Sequence, residues 1–369
     1  MTDELIVREP TLLGRTGAAR VIASAQAPTS GVSDDGLINV RPFDLPCSPY
    51  LSERSRQLFV EQARQWETIR TEQRRLSAAG APMTAMRASY NEGLLSDLAK
   101  QRARHPMSAE SSVLAGVPVQ IFTPRDANPG DFRVLLNLHG GGFLVGDRVS
   151  SEIESLPIAA GTGLRVVSVD YRMAPEHAYP AAVDDARAVY RQLLRAHPSG
   201  AIGVFGGSAG AILAAELVAS LKANALPPPG ALALLGAGAC FLEGDSMEVF
   251  SAIDRGETSD AAAHPYLKGA ALDDPMVSPV VDLATLGRFP PSLLISSTRD
   301  IGLSSVVYTH AKLLEASVDA SLLVIEGLRH CFFYNPEFSE SRQVYREVTR
   351  FFKSRLKTSH LDNIEGAIQ

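Results

Sequence analysis

A serine flanked by glycines follows a short apolar run of the sequence. Residues 202–205 predict a buried strand, residues 206–210 read Gly-Gly-Ser-Ala-Gly, and a helix-like segment begins at Ala209. A sharp strand-to-helix turn with this G-x-S-x-G pattern pushes the serine hydroxyl out at the edge of a sheet, and its glycines leave room where a Cβ would collide. The helix would then point its first N–H groups at developing negative charge. We predict that Ser208 is a nucleophile; the alternative is an ordinary glycine-rich turn.

A second glycine cluster, His-Gly-Gly-Gly-Phe at residues 139–143, follows the apolar run at 134–138. Consecutive glycines let the backbone present its N–H groups without side chains in the way, as an oxyanion hole requires. A flexible or phosphate-cradling loop is the alternative, but no phosphate-binding glycine motif accompanies the cluster. We expect His139 to anchor this loop and not to act as a base.

A nucleophilic serine needs a base, and four histidines follow it: His264, His310, His330 and His360. His310 lies inside a predicted helix, and His360 lies in the polar C-terminal tail. His264 has no predicted strand before it. His330 comes a few residues after the apolar run at 322–325, so it should reach the same sheet edge as the serine. We predict that His330 is the base; a histidine of a surface loop is the alternative.

The base in turn needs a carboxylate that orients it. Asp300 follows the apolar run at 292–295, at the end where the other site residues are expected. Asp274 and Asp282 precede that strand and Asp319 begins the next one, so they are placed less well. The predicted order along the chain is serine, aspartate, histidine.

The elements that must position these residues alternate after about residue 110. Apolar runs lie at residues 117–122, 134–138, 164–169, 202–205, 231–235, 292–295 and 322–325, and helical segments at about 152–160, 181–195, 209–222, 305–316 and 341–356. Continuous apolar runs are typical of strands buried on both faces, as in a parallel sheet. The alternation predicts an open α/β sheet covered by helices, with ligands beyond the carboxyl ends of its strands.

The N-terminal third has a different pattern. Residues 52–79 predict one long amphipathic helix with Ser52 as its N-cap, and residues 92–104 predict a second helix. We divide the chain into an irregular leader at 1–48, a helical cap region at 49–108 and a catalytic domain at 109–369. Apolar side chains of the cap region could line an acyl or alcohol pocket, although such a set is more often core: Trp66, Met83, Met86, Tyr90 and Met107.

Composition excludes several classes of protein. The 369 residues carry a net charge of −6 without a local basic patch, which argues against nucleic-acid binding. No stretch approaches 18 uninterrupted apolar residues, so no membrane span is expected. Cys47, Cys240 and Cys331 are widely spaced and form no C-x-x-C motif, so we expect free thiols and not a zinc or redox site.

The N-terminal residues bear on the cellular location of the protein, and two locations are considered. Its first ten residues include Asp3, Glu4, Arg8 and Glu9, which is wrong for a secretory signal. Residues 25–28, Ala-Gln-Ala-Pro, look like a small-residue cleavage site, but arginines and glycines interrupt the apolar stretch before them. A cytoplasmic location is the default expectation, with export by an atypical leader as the alternative.

Further segments complete a pattern that resembles one known family. Beside the two glycine motifs, these are residues 170–177 (Asp-Tyr-Arg-Met-Ala-Pro-Glu-His), 180–182, 184–185, 274–279 and 327–330. Together, over roughly residues 110–357, they resemble the hormone-sensitive-lipase-like bacterial esterases of the α/β-hydrolase fold. In that family residues 170–177 would form a structural ionic network.

The resemblance implies a mostly parallel central sheet flanked by helices, with an N-terminal helical cap. It implies hydrolysis of short- to medium-chain acyl esters without a metal or cofactor, and a small-molecule ester as the partner. Ser208 would be the nucleophile, His330 the base and Asp300 its orienting acid. The oxyanion donors would be the backbone N–H groups of Gly141, Gly142 and Ala209. Relatives often form dimers, so a homodimer is a further expectation.

Two residues depart from the family pattern. Gly207 precedes the serine where the family commonly has Asp or Thr, and Cys331 follows the histidine where relatives often have Gly. Neither change removes a group that acyl transfer needs, but both could alter the shape of the acyl pocket. An amidase or lactone hydrolase would use the same machinery, and a non-catalytic small-molecule receptor on the same fold is a further alternative.

Overall fold

The computed structural model describes residues 45–254 and 261–358, together with two short strands near the N-terminus. These strands, β1 (Gly31–Val32) and β2 (Ile38–Asn39), pair antiparallel. The remainder of the predicted leader, including its cleavage-like residues 25–28, lies outside the described residues, as does His360.

Two long helices follow, α1 (Glu53–Ala78) and α2 (Met83–Arg104). Ser52 is the N-cap of α1, as predicted, because its hydroxyl accepts a hydrogen bond from the Ser55 N–H at 3.0 Å. The second helix begins about two and a half turns earlier than the predicted residue 92, and its added residues include Met83, Met86 and Tyr90. Both helices lie where the cap region was expected, whereas the division into cap and catalytic domain stays a prediction.

The predicted parallel sheet is present, with eight strands: β3 (Ser108–Leu114), β4 (Val117–Thr123), β5 (Val134–Leu138), β6 (Arg165–Val169), β7 (Ile202–Gly207), β8 (Ala231–Leu235), β9 (Ser292–Arg299) and β10 (Ala320–Arg329). Their order across the sheet is β10-β9-β8-β7-β5-β6-β4-β3. Strand β4 pairs antiparallel with both β3 and β6, and the other pairs are parallel. The edge strand β3 was not predicted, because its mostly exposed side chains give it no apolar run.

Helices cover both faces of this sheet: α3 (Val149–Thr162), α4 (Ala181–Leu193), α5 (Ala209–Ala223), α6 (Asp245–Asp254), α7 (Leu283–Leu286), α8 (Leu303–Glu315) and α9 (Ser339–Arg355). Alternate residues of the central strands face two separate apolar cores. Leu136 and Val204 belong to the core that packs on α4, α5 and α8. Leu135 and Phe205 belong to the core that packs on α3 and α9. Burial on both faces explains the continuous apolar runs of these strands.

Two expectations from composition can be compared with the described residues. Among them, no helix is both long and apolar enough to cross a membrane. Cys47, Cys240 and Cys331 are free thiols, as predicted.

Candidate active site

Ser208 occupies a sharp turn between β7 and α5. Its backbone has φ +54° and ψ −122°, an unfavourable conformation for a residue with a side chain, which is typical of a serine held out at the top of a sheet. A tight approach fixes this turn, since a Cβ on Gly210 would lie only 1.9 Å from the Leu138 carbonyl oxygen. The Ser208 N–H donates to the Leu235 carbonyl oxygen at 2.7 Å, which joins the turn to β8.

The three residues predicted to act together lie in one hydrogen-bonded chain. His330 Nε2 lies 2.7 Å from Ser208 Oγ, and His330 Nδ1 lies 2.6 Å from Asp300 Oδ1. Asp300 is fully buried and also accepts hydrogen bonds from the Gly302 N–H at 2.7 Å and the Ser296 hydroxyl at 3.0 Å. With Asp300 ionised, Nδ1 carries the proton of its bond, so Nε2 is free to accept the serine proton.

Two strands that are longer than predicted, β9 and β10, produce this geometry. Strand β9 continues to Arg299 and β10 to Arg329, so both end immediately before the acid and the base. The parallel register pairs Arg299 with Arg329, after an irregularity between Ile325 and Arg329. Adjacent strand ends therefore set Asp300 beside His330, at the carboxyl edge where β7 delivers Ser208.

Opposing effects act on the His330 imidazole. Burial lowers its pKa, whereas the Asp300 carboxylate and, where it is ionised, the Cys331 thiolate raise it; with both groups negative the pKa lies above the ordinary histidine value. Burial also raises the pKa of the Cys331 thiol, so this thiol is uncharged near neutral pH and Asp300 is the negative partner. An imidazole held against a carboxylate is a stronger base for a serine hydroxyl proton.

The glycine loop after β5 lies beside Ser208. Gly141 has φ +130° and Gly142 has φ +60°, and both line the same cavity as Ser208 and Ala209. Ala209 is the first residue of α5, where backbone N–H groups have no partner within the helix. These three residues are thus brought together around the serine, as an oxyanion hole requires.

Aromatic stacking and a structural network hold the glycine loop. Phe143 is buried, with its ring stacked on Tyr266 at a centroid distance of 3.7 Å. His139 is also buried and stacks on Tyr171, whose hydroxyl donates to the His139 carbonyl oxygen at 2.7 Å. In the same segment, Arg172 forms an ion pair with Asp185 at 2.8 Å. His139 therefore packs and hydrogen-bonds within the loop, and Arg172 joins the segment at 170–177 to Asp185 of α4.

The two loop glycines give a matched pair of variants. We expect Gly141→Ala to lower kcat by about 100-fold or more, because its Cβ would lie 1.9 Å from the Val145 carbonyl oxygen and would displace the donors. Gly142→Ala meets no atom within 4 Å and should have the smaller effect, that of its positive φ alone. Steady-state kinetics on p-nitrophenyl butyrate would measure both. Equal losses in the two variants would contradict this role for the loop.

A cavity of about 340 Å³ opens onto Ser208 and His330. Its wall is mainly apolar and includes Trp66 and Tyr90, whose ring centroids lie 6.0 Å apart on α1 and α2. Of the five apolar residues singled out in the cap region, these two line the cavity. Met107 packs against the core, and Met83 and Met86 do not line the cavity in the described part of the chain.

Several cavity residues carry no sequence signal. Ile212 follows the serine by one helical turn and Ile301 directly follows Asp300, but Phe241 and Met247 come from segments that no motif marks. Cys331, which departs from the family pattern, lines the cavity too and has φ +56°. Their side chains meet only because several sheet connections end at one place.

Comparisons with known proteins give this chain relatives in sequence and in fold. A sequence model of the alpha/beta hydrolase fold matches residues 135–334. An acetyl-hydrolase of Streptomyces hygroscopicus is 32% identical over 235 residues, which are 61% of this chain and 76% of that protein. An esterase of Acinetobacter venetianus is 29% identical over 60% of this chain and 75% of its own, and an ethyl acetate hydrolase of Pseudomonas putida is 28% identical over 58% and 71%.

Solved structures extend the similarity to most of the chain. The crystal structure of one esterase is 31% identical and superposes with a TM-score of 0.73, covering 86% of this chain and 99% of that one. An esterase of the bacterial hormone-sensitive lipase family, 24% identical, shares the fold with a TM-score of 0.65 over 79% of this chain and 98% of its own. The chain therefore belongs to the alpha/beta hydrolase fold family.

Proposed function

We propose that this esterase hydrolyses short- to medium-chain acyl esters through an acyl-enzyme on Ser208. The observation that carries the proposal is the hydrogen-bonded chain from Ser208 through His330 to Asp300, which opens into an apolar cavity. Ser208 is the nucleophile, His330 the general base and Asp300 the group that fixes the imidazole tautomer. The reaction uses no metal or cofactor in this proposal.

Acylation begins when Ser208 Oγ attacks the ester carbonyl carbon and its proton passes to His330 Nε2. The carbonyl oxygen becomes an oxyanion, which accepts hydrogen bonds from the N–H groups of Gly141, Gly142 and Ala209. The carbon–oxygen bond to the alcohol then breaks, and the protonated His330 returns its proton to the leaving alcohol. Water repeats these steps on the acyl-enzyme and releases the carboxylic acid.

The preference for short acyl groups rests on the cavity and on the relatives. A cavity of about 340 Å³ lies at the lower end of the usual range for ligand sites, about 300–1,000 Å³. Bulky side chains, Trp66, Tyr90 and Phe241 among them, form its wall. Two relatives are named acetyl-hydrolase and ethyl acetate hydrolase.

A series of p-nitrophenyl esters from acetate to palmitate tests this proposal. We expect kcat/KM to peak at short or medium acyl chains and to be lowest for palmitate, because the long chain exceeds the cavity. A peak at palmitate would contradict the preference, and the absence of turnover on every ester from folded protein would contradict the esterase itself. Acyl-anilides and lactones in the same assay would reveal an amidase or lactonase preference.

The predicted homodimer and cytoplasmic location stay predictions. Sedimentation of the purified protein would test the first, and fractionation of the source cells would test the second.

A further inference from the structure

A buried carboxyl group that the mechanism does not use lies behind the active site. Glu154, on α3, is 3% exposed, and hydrogen-bond donors surround both of its oxygens. Oε1 accepts from the Gly140 N–H at 3.0 Å and from the Tyr334 hydroxyl at 2.7 Å, and Oε2 accepts from the Asn137 side-chain amide at 3.0 Å. Burial raises the pKa of Glu154, and these donors counteract it.

The same carboxyl group occupies the space behind the nucleophilic turn. A Cβ on Gly207 would lie 2.6 Å from Glu154 Oε1 and 3.0 Å from its Cδ. The glycine at this position, which departs from the family pattern, is therefore matched to Glu154 of α3. A larger residue at 207 would therefore require the Glu154 carboxyl group to leave its present position.

The contacts of Glu154 reach the glycine loop, the residue before Ser208 and the turn after His330. Gly140 begins the glycine loop, Gly207 immediately precedes Ser208, and Tyr334 closes the short turn that follows His330. A charged or strongly polar acceptor that serves donors on separate segments fixes their relative positions, because each donor would be unsatisfied if its segment moved away. Gly140 is the residue through which this constraint reaches Gly141 and Gly142.

We propose that Glu154 is a positioning residue that holds the oxyanion loop in register with the nucleophilic turn through the Gly140 N–H, in the space that Gly207 leaves open. The inference rests on the proposed function, since it assigns the loop the role of oxyanion hole. It predicts that a change at Glu154 lowers transition-state stabilisation more than substrate binding.

Glu154→Gln is the variant that preserves volume. Its amide group must face either the Gly140 N–H or the Asn137 amide, and each of these is a donor. Asn137 resists turning its amide over, because its Oδ1 accepts the Ser168 hydroxyl at 2.6 Å. At least one hydrogen bond is thus lost without a cavity. We expect kcat on p-nitrophenyl butyrate to fall about tenfold with KM within about threefold, and the affinity for a trifluoromethyl ketone, which forms a tetrahedral adduct, to fall in parallel.

Two further variants distinguish positioning from general support of the fold. Ile158→Ala removes a buried side chain one helical turn along α3, so it should lower Tm and leave kcat within about twofold. Gly207→Asp alone forces two carboxyl groups into one space and should lower both Tm and kcat. In the double variant with Glu154→Ala, the Gly207→Asp side chain supplies a carboxyl group to the same space from the nucleophilic turn. We therefore expect a higher kcat in the double variant than in Glu154→Ala alone.

The outcomes separate this inference from the function on which it rests. A kcat of Glu154→Gln within twofold of the wild type, or a loss of kcat that Ile158→Ala matches at the same drop in Tm, would overturn the positioning role while the esterase stands. If kcat of the Gly207→Asp/Glu154→Ala protein is no higher than that of Glu154→Ala, the space shared by residues 154 and 207 is not the basis of the positioning role. Wild-type protein without ester turnover would overturn the proposed function, and the inference with it.

Discussion

Replacement of Ser208 by alanine is expected to lower kcat on p-nitrophenyl butyrate by about a million-fold, with little change in Tm. The variant removes Oγ, the only atom of this side chain that can form the acyl bond. It keeps the Cβ and the backbone hydrogen bond from the residue 208 N–H to the Leu235 carbonyl oxygen. The positive φ at this position is equally unfavourable for serine and alanine, so the turn keeps its strain. Residual turnover then comes from binding and oxyanion stabilisation alone.

The matched measurement for this variant is covalent labelling. A fluorophosphonate probe should label the wild type at one serine and fail to label Ser208→Ala, while circular dichroism shows both proteins folded. Mass spectrometry of the labelled peptide would identify residue 208. Turnover in the variant above about one per cent of wild type would place the nucleophile elsewhere.

Asp300→Asn is expected to lower kcat by about a thousandfold, although the side chain keeps its size. Asp300 Oδ1 accepts from both the Gly302 N–H and His330 Nδ1, whereas Oδ2 accepts from the Ser296 hydroxyl. The asparagine oxygen therefore keeps the Oδ1 position, and its amide group faces Ser296. The hydrogen bond to His330 remains, but the negative charge that stabilises the imidazolium formed in the transition state is lost.

The same variant makes a prediction about pH. His330 acts as a base only when neutral, so kcat/KM rises as pH increases through its pKa, which the Asp300 carboxylate helps to raise. Removing that charge lowers the pKa, so the rising limb of the profile should move to lower pH while its plateau falls. If the rising limb of the kcat/KM profile stays at the same pH in the variant, the assignment of Asp300 as the charged partner of His330 is contradicted.

Asp319→Asn is the matched control for this change. It makes the same substitution at an exposed carboxylate, paired with Arg355 at 2.7 Å, outside the described cavity lining. Surface ion pairs contribute little to stability, so Tm, kcat and the pH profile should all stay near those of the wild type.

Local sequence determined most of the fold. Apolar runs marked the central strands because burial on both faces leaves no polar alternation, and glycine spacing marked the two turns that need close backbone approach. Elements with a weak apolar pattern were missed or misplaced: the exposed edge strand Ser108–Leu114, the short helix Asp245–Asp254 and the first turns of Met83–Arg104. Their formation depends on pairing and packing with distant segments.

The sequence by itself also determined that Ser208, Asp300 and His330 meet, because each follows a strand of one parallel sheet and the carboxyl ends of these strands share one edge. Only the tertiary structure decided what surrounds them. Glu154 lies in the middle of a helix without a motif, and its relation to Gly207 exists only because α3 packs behind the nucleophilic turn. The cavity wall, with Trp66 from α1 and Met247 from α6, arises in the same way. Local patterns report burial and turns, whereas contacts between side chains far apart in the chain depend on how the whole sheet and its helices pack.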